Sequence, residues 1–402
     1  SLRKLKGIKN TNSKKKIIIL EKSFGIEDIR SSFARISIKY EPYVAQRRLF
    51  SLIFKLIFGK NKIHEHRYNL SNKITNKKKT DLRNLYTEIL GHLKNYFNVK
   101  IIINFNILYL AERELQVASK NNDIKFITLQ KEGNFLESEK RKFINLLKRN
   151  TGKYEGDLIM TYSERYKKLL IQAGVVEKNK VKCIGVPRVD RFFTKKKTNQ
   201  KYVLFFLIQT KRTLAYNLMK SVNKEYFRVK EQYPNYMSNL SKKAIQSTLN
   251  VAKKNPCIKF LFKERIKNQN YSLIQRKKIL NSNLKNCQII QGGDSFNYIK
   301  NAKVIIGVNS TSLMEGLAAK KKVLVPYFEA NNNFIRQSLQ KLSSPIIIVK
   351  NTKNFESILQ KIINEKSYNL SHSKNAKKML KHYIGNSDGK SYKRFAEIIN
   401  RI

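Results

Sequence analysis

The sequence predicts an α/β fold built from two Rossmann-like domains that face each other across a cleft, with mostly parallel sheets. Three observations lead to this prediction. Short β-branched and aromatic runs alternate with helical stretches along all 402 residues, which is typical of parallel sheets covered by helices. A polar, charged segment at 192–201 (FFTKKKTNQK) lies near the midpoint and is the best linker candidate. The hydrophobic content of 41% is enough for two separate cores.

The individual strands are predicted from runs rich in Ile, Val and Phe. In the first half they are 16–20, 99–105, 124–129, 157–162 and 181–186. In the second half they are 201–208, 258–263, 287–291, 303–308, 322–327 and 345–350. We therefore expect one Rossmann-like domain over 1–195, a second one over 196–380, and a C-terminal helix within 381–402.

The charge of the chain is strongly positive. It contains 83 Lys and Arg against 28 Asp and Glu, a formal net charge of +55. Such an excess favours anionic partners, including nucleic acid, an acidic membrane or phosphorylated substrates. The lysines are scattered and mixed with many Asn and Ile, however, as the codon bias of an AT-rich genome would produce. A nucleic-acid-binding protein thus stays an alternative, although no zinc-finger or RNA-recognition signature accompanies the charge.

The expected location is the cytoplasm. No run of about 18 apolar residues predicts a transmembrane helix, and the first fifteen residues are not a signal peptide. Cys183, Cys257 and Cys287 are far apart, which argues against a zinc site or a disulfide framework. The segment 47–60 (RRLFSLIFKLIFGK) has apolar residues at helical spacing among basic ones. It predicts a core helix, with a helix lying on the inner face of an anionic plasma membrane as the alternative.

The most informative stretch is 304–326 (VIIGVNSTSLMEGLAAKKKVLVP), in which a buried strand gives way to a polar turn and then to a helix. The turn consists of Asn309, Ser310, Thr311 and Ser312. Free backbone N–H groups at the start of the helix would form an anion site suited to a diphosphate. Glu315, one turn further on, could accept hydrogen bonds from a ribose diol. The alternative is a capping box formed by Ser312 and Glu315, which needs no ligand.

This strand, turn, helix and strand resemble the donor-binding segment of GT-B glycosyltransferases and of their relatives. Those relatives include the nucleotide-sugar 2-epimerases and the CDP-glycerol glycerophosphotransferases of surface-carbohydrate biosynthesis. The resemblance implies that Ser310, Thr311 and Ser312, together with Asn309, hold the donor diphosphate. It also implies that Glu315 holds the ribose. The Gly-x-Pro that usually follows the helix is replaced by lysines at 320–322.

The first half resembles the acceptor domain of the same superfamily. The similarity lies in 111–135, in 157–175 and in the tract IGVPRVDRF at 184–192. Glu132 stands where the glycerophosphotransferases have a His-Gly pair. A carboxylate in a closed cleft could take the proton from the acceptor hydroxyl as general base, and the alternative is a structural ion pair of Glu132 with a neighbouring lysine. The resemblance implies that 1–195 is the acceptor-side domain, that 196–380 is the nucleotide-donor-binding domain, and that the helix within 381–402 packs back near the linker. In the donor domain, Lys263 and Arg265 lie at the end of a strand and would neutralise the leaving nucleotide.

Together these features predict a metal-independent transferase. It would move a sugar or glycerophosphate from a nucleotide-sugar or CDP-glycerol-like donor to a cell-surface polysaccharide or a lipid-linked precursor. We expect no metal, since the chain has no Asp-x-Asp triplet and no histidine zinc motif, and no cofactor besides the donor. The alternative within the same fold is a nucleotide-sugar 2-epimerase.

Overall fold

The computed structural model of the protein describes most of the chain. The described ranges are 2–9, 13–59, 68–69, 72–130, 140–150, 152–193, 200–208, 225–264, 269–308, 311–328, 346–365, 374–385 and 388–402. The chain forms two compact units, each of which contains its own sheet. Unit 1 consists of Ser1–Asp190 and Lys381–Ile402, and unit 2 consists of Arg191–Leu380.

Unit 1 contains a 7-stranded sheet with the order β1-β3-β2-β4-β5-β6-β7. Its strands are β1 (Leu2–Lys4), β2 (Lys16–Leu20), β3 (Glu41–Ala45), β4 (Val99–Asn104), β5 (Lys125–Gln130), β6 (Leu158–Thr161) and β7 (Val181–Cys183). All neighbouring strands are parallel except β1 and β3. The helices of this unit are α1 (Ser23–Phe33), α2 (Arg47–Phe58), α3 (Lys73–Phe97), α4 (Arg113–Asn121), α5 (Lys140–Asn150) and α6 (Glu164–Gln172).

Unit 2 contains a 6-stranded, fully parallel sheet with the order β10-β9-β8-β11-β12-β13. Its strands are β8 (Tyr202–Phe206), β9 (Lys259–Lys263), β10 (Cys287–Ile290), β11 (Ala302–Ile306), β12 (Lys322–Pro326) and β13 (Ile346–Val349). Its helices are α7 (Glu225–Lys254), α8 (Gln269–Leu280), α9 (Ser295–Asn301), α10 (Thr311–Ala318) and α11 (Thr352–Asn364). Helix α12 (Lys374–Ile384) crosses the boundary between the units, and α13 (Ser391–Arg401) belongs to unit 1.

The predicted fold class is confirmed: the protein is α/β with two mostly parallel sheets. Each strand that the sequence predicts is present, within a few residues of its expected ends. The central strands are nearly continuous runs of Ile, Val and Leu because helices cover both faces of a parallel sheet. Ile17, Ile101, Ile103, Val304 and Ile305, for example, are all fully buried.

Side chains of Asn and Ser define where several helices begin. Asn72 accepts a hydrogen bond from the backbone N–H of Thr75 at the start of α3, and Asn351 accepts one at the start of α11. Helix α3 ends at Asn98, which adopts a left-handed conformation with φ of 52°. None of the helices in the described residues is long and apolar enough to cross a membrane.

Helix α2 is only partly the core helix that the sequence predicts. Phe50 and Phe58 are buried, and the ring of Phe50 lies 5.9 Å from that of Tyr86 on α3. The opposite face is open to solvent although it carries leucines: Leu56 is 83% exposed.

Candidate functional site

Helix α10 begins at the topological switch point of the second sheet. From β8 the chain builds outward through β9 and β10, and then returns to place β11 on the other side of β8. Ligands of doubly wound sheets bind outside the carboxyl ends of the strands at such a point. The first turn of α10, the next element after β11, therefore places the positive end of the helix dipole where this topology favours an anionic ligand.

Helix α10 lies unusually close to the sheet. A Cβ atom added to Gly316 would stand 2.7 Å from Cδ1 of Ile305 on β11 and 3.2 Å from Cγ2 of Val323 on β12. Glycine at this position thus lets the helix backbone approach both strands. All residues from Leu313 to Ala318 are buried, which fixes the start of the helix relative to the strand ends.

The capping-box interpretation of Ser312 and Glu315 does not fit the helix bounds. Because α10 begins at Thr311, Ser312 is already its second residue, whereas a capping box places its serine before the first helical residue. Glu315 is 9% exposed and lies about 6 Å along the helix axis from Thr311. Thr311 is exposed and Ser312 is half-buried. The hydroxyls are therefore at the open end of the helix, and the carboxylate is one turn below them.

Lys263 ends β9 on the same carboxyl edge. It is 7% exposed, and its ammonium group donates a hydrogen bond to the carbonyl oxygen of Gly292. The same group lies 5.0 Å from the centre of the Tyr298 ring. Burial lowers the pKa of Lys263, although the charge of Asp294 opposes this effect. Lys263 is therefore a partly desolvated cation at the edge where the sequence predicts a phosphate.

An ion pair lies at this edge next to the end of β10. Nη1 and Nη2 of Arg191 donate to the two carboxylate oxygens of Asp294 at 2.6 and 3.1 Å. Asp294 also caps α9 by accepting from the N–H of Phe296 at 3.0 Å. Burial alone would raise the pKa of Asp294, but these hydrogen bonds and the charge of Arg191 lower it. Asp294 thus stays ionised beside Lys263.

Glu264 is a buried carboxylate that the sequence did not single out as a site residue. It follows Lys263 and accepts hydrogen bonds from Gln291 at 2.5 Å and from Arg276 at 3.3 Å. Both bonds go to Oε2, and Oε1 accepts none from the described residues. The residue stands out only through this burial, since a Lys-Glu dipeptide is ordinary in so charged a chain.

Several predicted site residues lie outside the described residues. They are Glu132, Arg265, Asn309 and Ser310. Of the predicted donor-binding set, the structure describes Thr311, Ser312, Glu315 and Lys263. Lys263 is the last residue of β9, Thr311 and Ser312 lie in the first turn of α10, and Glu315 lies one turn further along that helix. Within the described residues, no group of His, Cys, Asp and Glu could hold a metal ion.

Unit 1 has a polar cluster at its own switch point, between β2 and β4. Glu112 is fully buried there, and its two carboxylate oxygens accept from Nε of Arg47 at 2.5 Å and from Nδ2 of Asn104 at 2.9 Å. Asn104 is the last residue of β4, and its Oδ1 accepts no hydrogen bond from the described residues. The guanidinium of Arg47 lies 3.4 Å from the centre of the Tyr109 ring, over which Lys22 also lies at 5.5 Å.

The electrostatics of Glu112 are set by burial. Loss of solvent raises its pKa, while Arg47, Asn104 and Lys22 act in the opposite direction. Two cations and one amide thus surround one desolvated carboxylate at the edge where parallel sheets bind ligands. Sequence reasoning missed this cluster because Arg47 and Glu112 are 65 residues apart.

The charged residues of the tract IGVPRVDRF make hydrogen bonds and ion pairs within unit 1 and at the carboxyl edge of the unit 2 sheet. Nη1 of Arg188 donates to Oδ2 of Asp28 at 2.8 Å, and Asp28 is fully buried. Asp190 accepts from the N–H of Tyr392 at 2.6 Å, and so anchors the start of α13. Arg191 is the partner of Asp294 described above. Each charged residue of the tract therefore has a structural ion pair or hydrogen bond.

No known protein-family profile and no curated protein matches the sequence. Solved structures do match it. UDP-GlcNAc 2-epimerase from Neisseria meningitidis, bound to UDP-GlcNAc, is 13% identical with a TM-score of 0.53, and the match covers 96% of this chain and 100% of that one. The S. aureus MnaA–UDP structure is 12% identical with a TM-score of 0.52, and the match covers 96% and 95% of the two chains.

UDP-GlcNAc 2-epimerase from Methanocaldococcus jannaschii is 13% identical with a TM-score of 0.50, over 96% of this chain and 99% of that one. The chain has the GT-B fold. This is the fold that the sequence predicts from the turn at 309–312 and the Glu315 helix. A GT-B chain carries a sheet in each of two halves, and both polar clusters described above lie on carboxyl edges of those sheets.

Proposed function

We propose that the chain is an enzyme that acts on a nucleotide-activated sugar. The observation that carries this proposal is the start of α10 at the switch point of the second sheet, with exposed Thr311 at its end and buried Glu315 one turn below. The dipole at the start of a helix suits a diphosphate, and the carboxylate suits the vicinal hydroxyls of a ribose. Asn309 and Ser310 would complete the diphosphate site.

The remaining donor contacts would come from the end of β9. Lys263 already carries a positive charge close to the strand ends, and Arg265 follows two residues later. When the bond between the sugar and the diphosphate breaks, negative charge develops on the leaving nucleotide. Fixed cations in a site shielded from water stabilise that charge without a metal ion.

For the reaction itself we propose transfer of a sugar or glycerophosphate to a surface polysaccharide or its lipid-linked precursor. Glu132 would take the proton of the acceptor hydroxyl, whose oxygen then bonds to the transferred group as the nucleotide leaves. The Glu112–Arg47–Asn104 cluster would hold polar groups of the acceptor or the sugar. Arg47 and Lys22 suit an acceptor that carries phosphate.

A 2-epimerase is the second candidate, and a specific observation favours it. The structures named above include two UDP-GlcNAc 2-epimerases, and the matches cover 99–100% of their length. Epimerisation at C2 breaks and re-forms a C–H bond and needs no acceptor. Both candidates require the same nucleotide site on α10.

The two reactions are distinguished by incubating the protein with UDP-N-acetylglucosamine in D₂O. A transferase leaves the sugar unlabelled and releases UDP only after a polysaccharide or lipid-linked acceptor is added. An epimerase incorporates deuterium at C2 and forms the 2-epimer without any acceptor. Binding of the nucleotide with neither outcome, across UDP-, CDP- and GDP-activated donors, would contradict the proposal that the chain is an enzyme of this class.

A further inference from the structure

Helix α2 has apolar residues on both of its sides. The inner side carries Phe50, Phe54 and Phe58, which recur every four residues. The ring of Phe58 lies 5.6 Å from that of Tyr68, and Phe54 stacks on Phe58 at 4.5 Å. These contacts hold the helix against unit 1. An ordinary surface helix would be polar on its other side.

The outward side of α2 instead carries a leucine stripe, which consists of Leu49, Leu52 and Leu56. These residues are 50%, 46% and 83% exposed, and their spacing of three and four places them along one line of the helix. Single exposed leucines are normal on protein surfaces, whereas contiguous exposed apolar patches often mark interaction sites.

Positive charge borders the leucine stripe. Arg48 and Lys55 are exposed and lie beside the leucines on the helical wheel, and α2 contains no acidic residue. The sequence from 42 to 80 has ten Lys and Arg and a single acidic residue, Glu65. Leucines flanked by cations on one helix face are the pattern of a helix lying in the interface of an anionic bilayer.

We propose that α2 docks unit 1 onto an anionic membrane surface, with the leucine stripe inserted between the lipid headgroups. A second copy of the chain is a poorer occupant. Joining two such faces would bring Arg48 and Lys55 of both copies together, and like charges oppose that contact. The helix is about 18 Å long, which is enough to lie along the interface but not to span it.

Docking through α2 has a consequence for the unit 1 cluster. The helix begins at Arg47, whose guanidinium binds Glu112. The carboxyl edge of the first sheet would therefore lie close to the lipid surface. On the proposed function, a lipid-linked acceptor could reach this edge without leaving the bilayer. The docking itself does not depend on that function.

The natural absence of tryptophan makes insertion directly measurable. The chain contains no Trp, so Leu56→Trp introduces a unique fluorophore at the most exposed leucine of the stripe. Leu280→Trp is the matched control, since Leu280 is 61% exposed on α8 of unit 2. On adding vesicles of phosphatidylcholine and phosphatidylglycerol, we expect a blue-shifted emission for Leu56→Trp and no shift for Leu280→Trp.

Cosedimentation with the same vesicles measures affinity. Changing both Leu52 and Leu56 to Ser should lower the partition coefficient at least about tenfold, because each inserted leucine contributes hydrophobic free energy. Leu280→Ser should leave it unchanged. Salt at 0.5 M should weaken but not abolish wild-type binding, since it screens only the cationic part.

Three results would overturn the proposal. Equal binding of the wild type and the Leu52/Leu56 variant would show that total charge alone attracts the protein to the vesicles. An unshifted Leu56→Trp emission in sedimented vesicles would show the same. A dimeric wild type with a monomeric Leu52/Leu56 variant, whose vesicle binding is unchanged, would assign the stripe to a second copy instead.

Discussion

Replacing Arg188 by Leu should destabilise unit 1 strongly, because it leaves the buried carboxylate of Asp28 without its cationic partner. Asp28 on α1 is fully buried and accepts hydrogen bonds from Nη1 of Arg188 at 2.8 Å, from the backbone N–H of Arg188 at 3.1 Å and from the hydroxyl of Tyr162. The guanidinium is the only one of these three donors that carries a positive charge, and the variant removes it.

The expected loss follows from that geometry. Breaking a buried ion pair by removing one partner costs about 3–5 kcal/mol. In the variant, the Tyr162 hydroxyl and the backbone N–H still donate hydrogen bonds to the Asp28 carboxylate. We therefore expect a loss at the lower end of this range, about 3 kcal/mol. For a domain of this size such a loss lowers Tm by about 6–12 °C.

Urea unfolding followed by circular dichroism at neutral pH measures this loss. Arg30→Leu is the control, since the ion pair of Arg30 with Glu27 is more than a third exposed and should contribute less than about 1 kcal/mol. Adding Asp28→Asn to Arg188→Leu should restore part of the stability, because the stranded charge is removed. A loss below about 1 kcal/mol for Arg188→Leu, or a double variant with fully additive losses, would refute this reasoning.

Three further predictions concern buried groups. Burial raises the pKa of Glu112, so the folded state keeps its proton where the unfolded chain has released it. The free energy of unfolding of the wild type, relative to Glu112→Gln, should fall as pH rises above about 4.5; a rise would mean that Arg47 outweighs burial. Burial lowers the pKa of Lys321 from 10.5 to about 8. The free energy of unfolding of the wild type, relative to that of Lys321→Met, should therefore rise as the pH increases from 8 to 10.5. At pH 7, Lys321→Met should be about 1–3 kcal/mol more stable than the wild type in urea titrations. Gly385 has φ of 65°, and an added Cβ would stand 1.7 Å from the carbonyl oxygen of Tyr162. Gly385→Ala should therefore lower Tm by several degrees and cost at least about 2 kcal/mol, and an unchanged Tm would contradict the geometry.

Most sheet strands could be predicted because buried strands appear in the sequence as short apolar runs such as IIIL and VIIG. Two strands escaped prediction for physical reasons. β1 has three exposed residues at the sheet edge, and β3 (EPYVA) includes Pro42, which usually argues against a paired strand. Pairing with β2 and β1 overrides that local preference.

The candidate site could be predicted from the sequence only where its residues are close together in the chain. The predicted turn residues 309–312 and Glu315 lie within a few residues of each other in the sequence, so one sequence pattern predicts them together. The Glu112 cluster was not predictable, because it joins Arg47, Asn104 and Glu112 from three separate elements. Lys263 shows a third case: its position at the end of β9 follows from the strand pattern, whereas its hydrogen bond to Gly292 depends on how β9 and β10 pair.

The central claim is that the start of α10 binds a nucleoside diphosphate. Isothermal titration of the wild type, of Glu315→Gln and of Glu356→Gln with UDP, CDP and GDP tests it most directly. Glu356 is a matched control on α11, whose contact with Asn250 a glutamine would preserve. We predict that one of these nucleotides binds the wild type and Glu356→Gln alike, and binds Glu315→Gln about 10- to 100-fold more weakly, because the charged acceptor for the ribose is lost. Equal affinities for all three proteins, or no binding by the wild type, would contradict the claim.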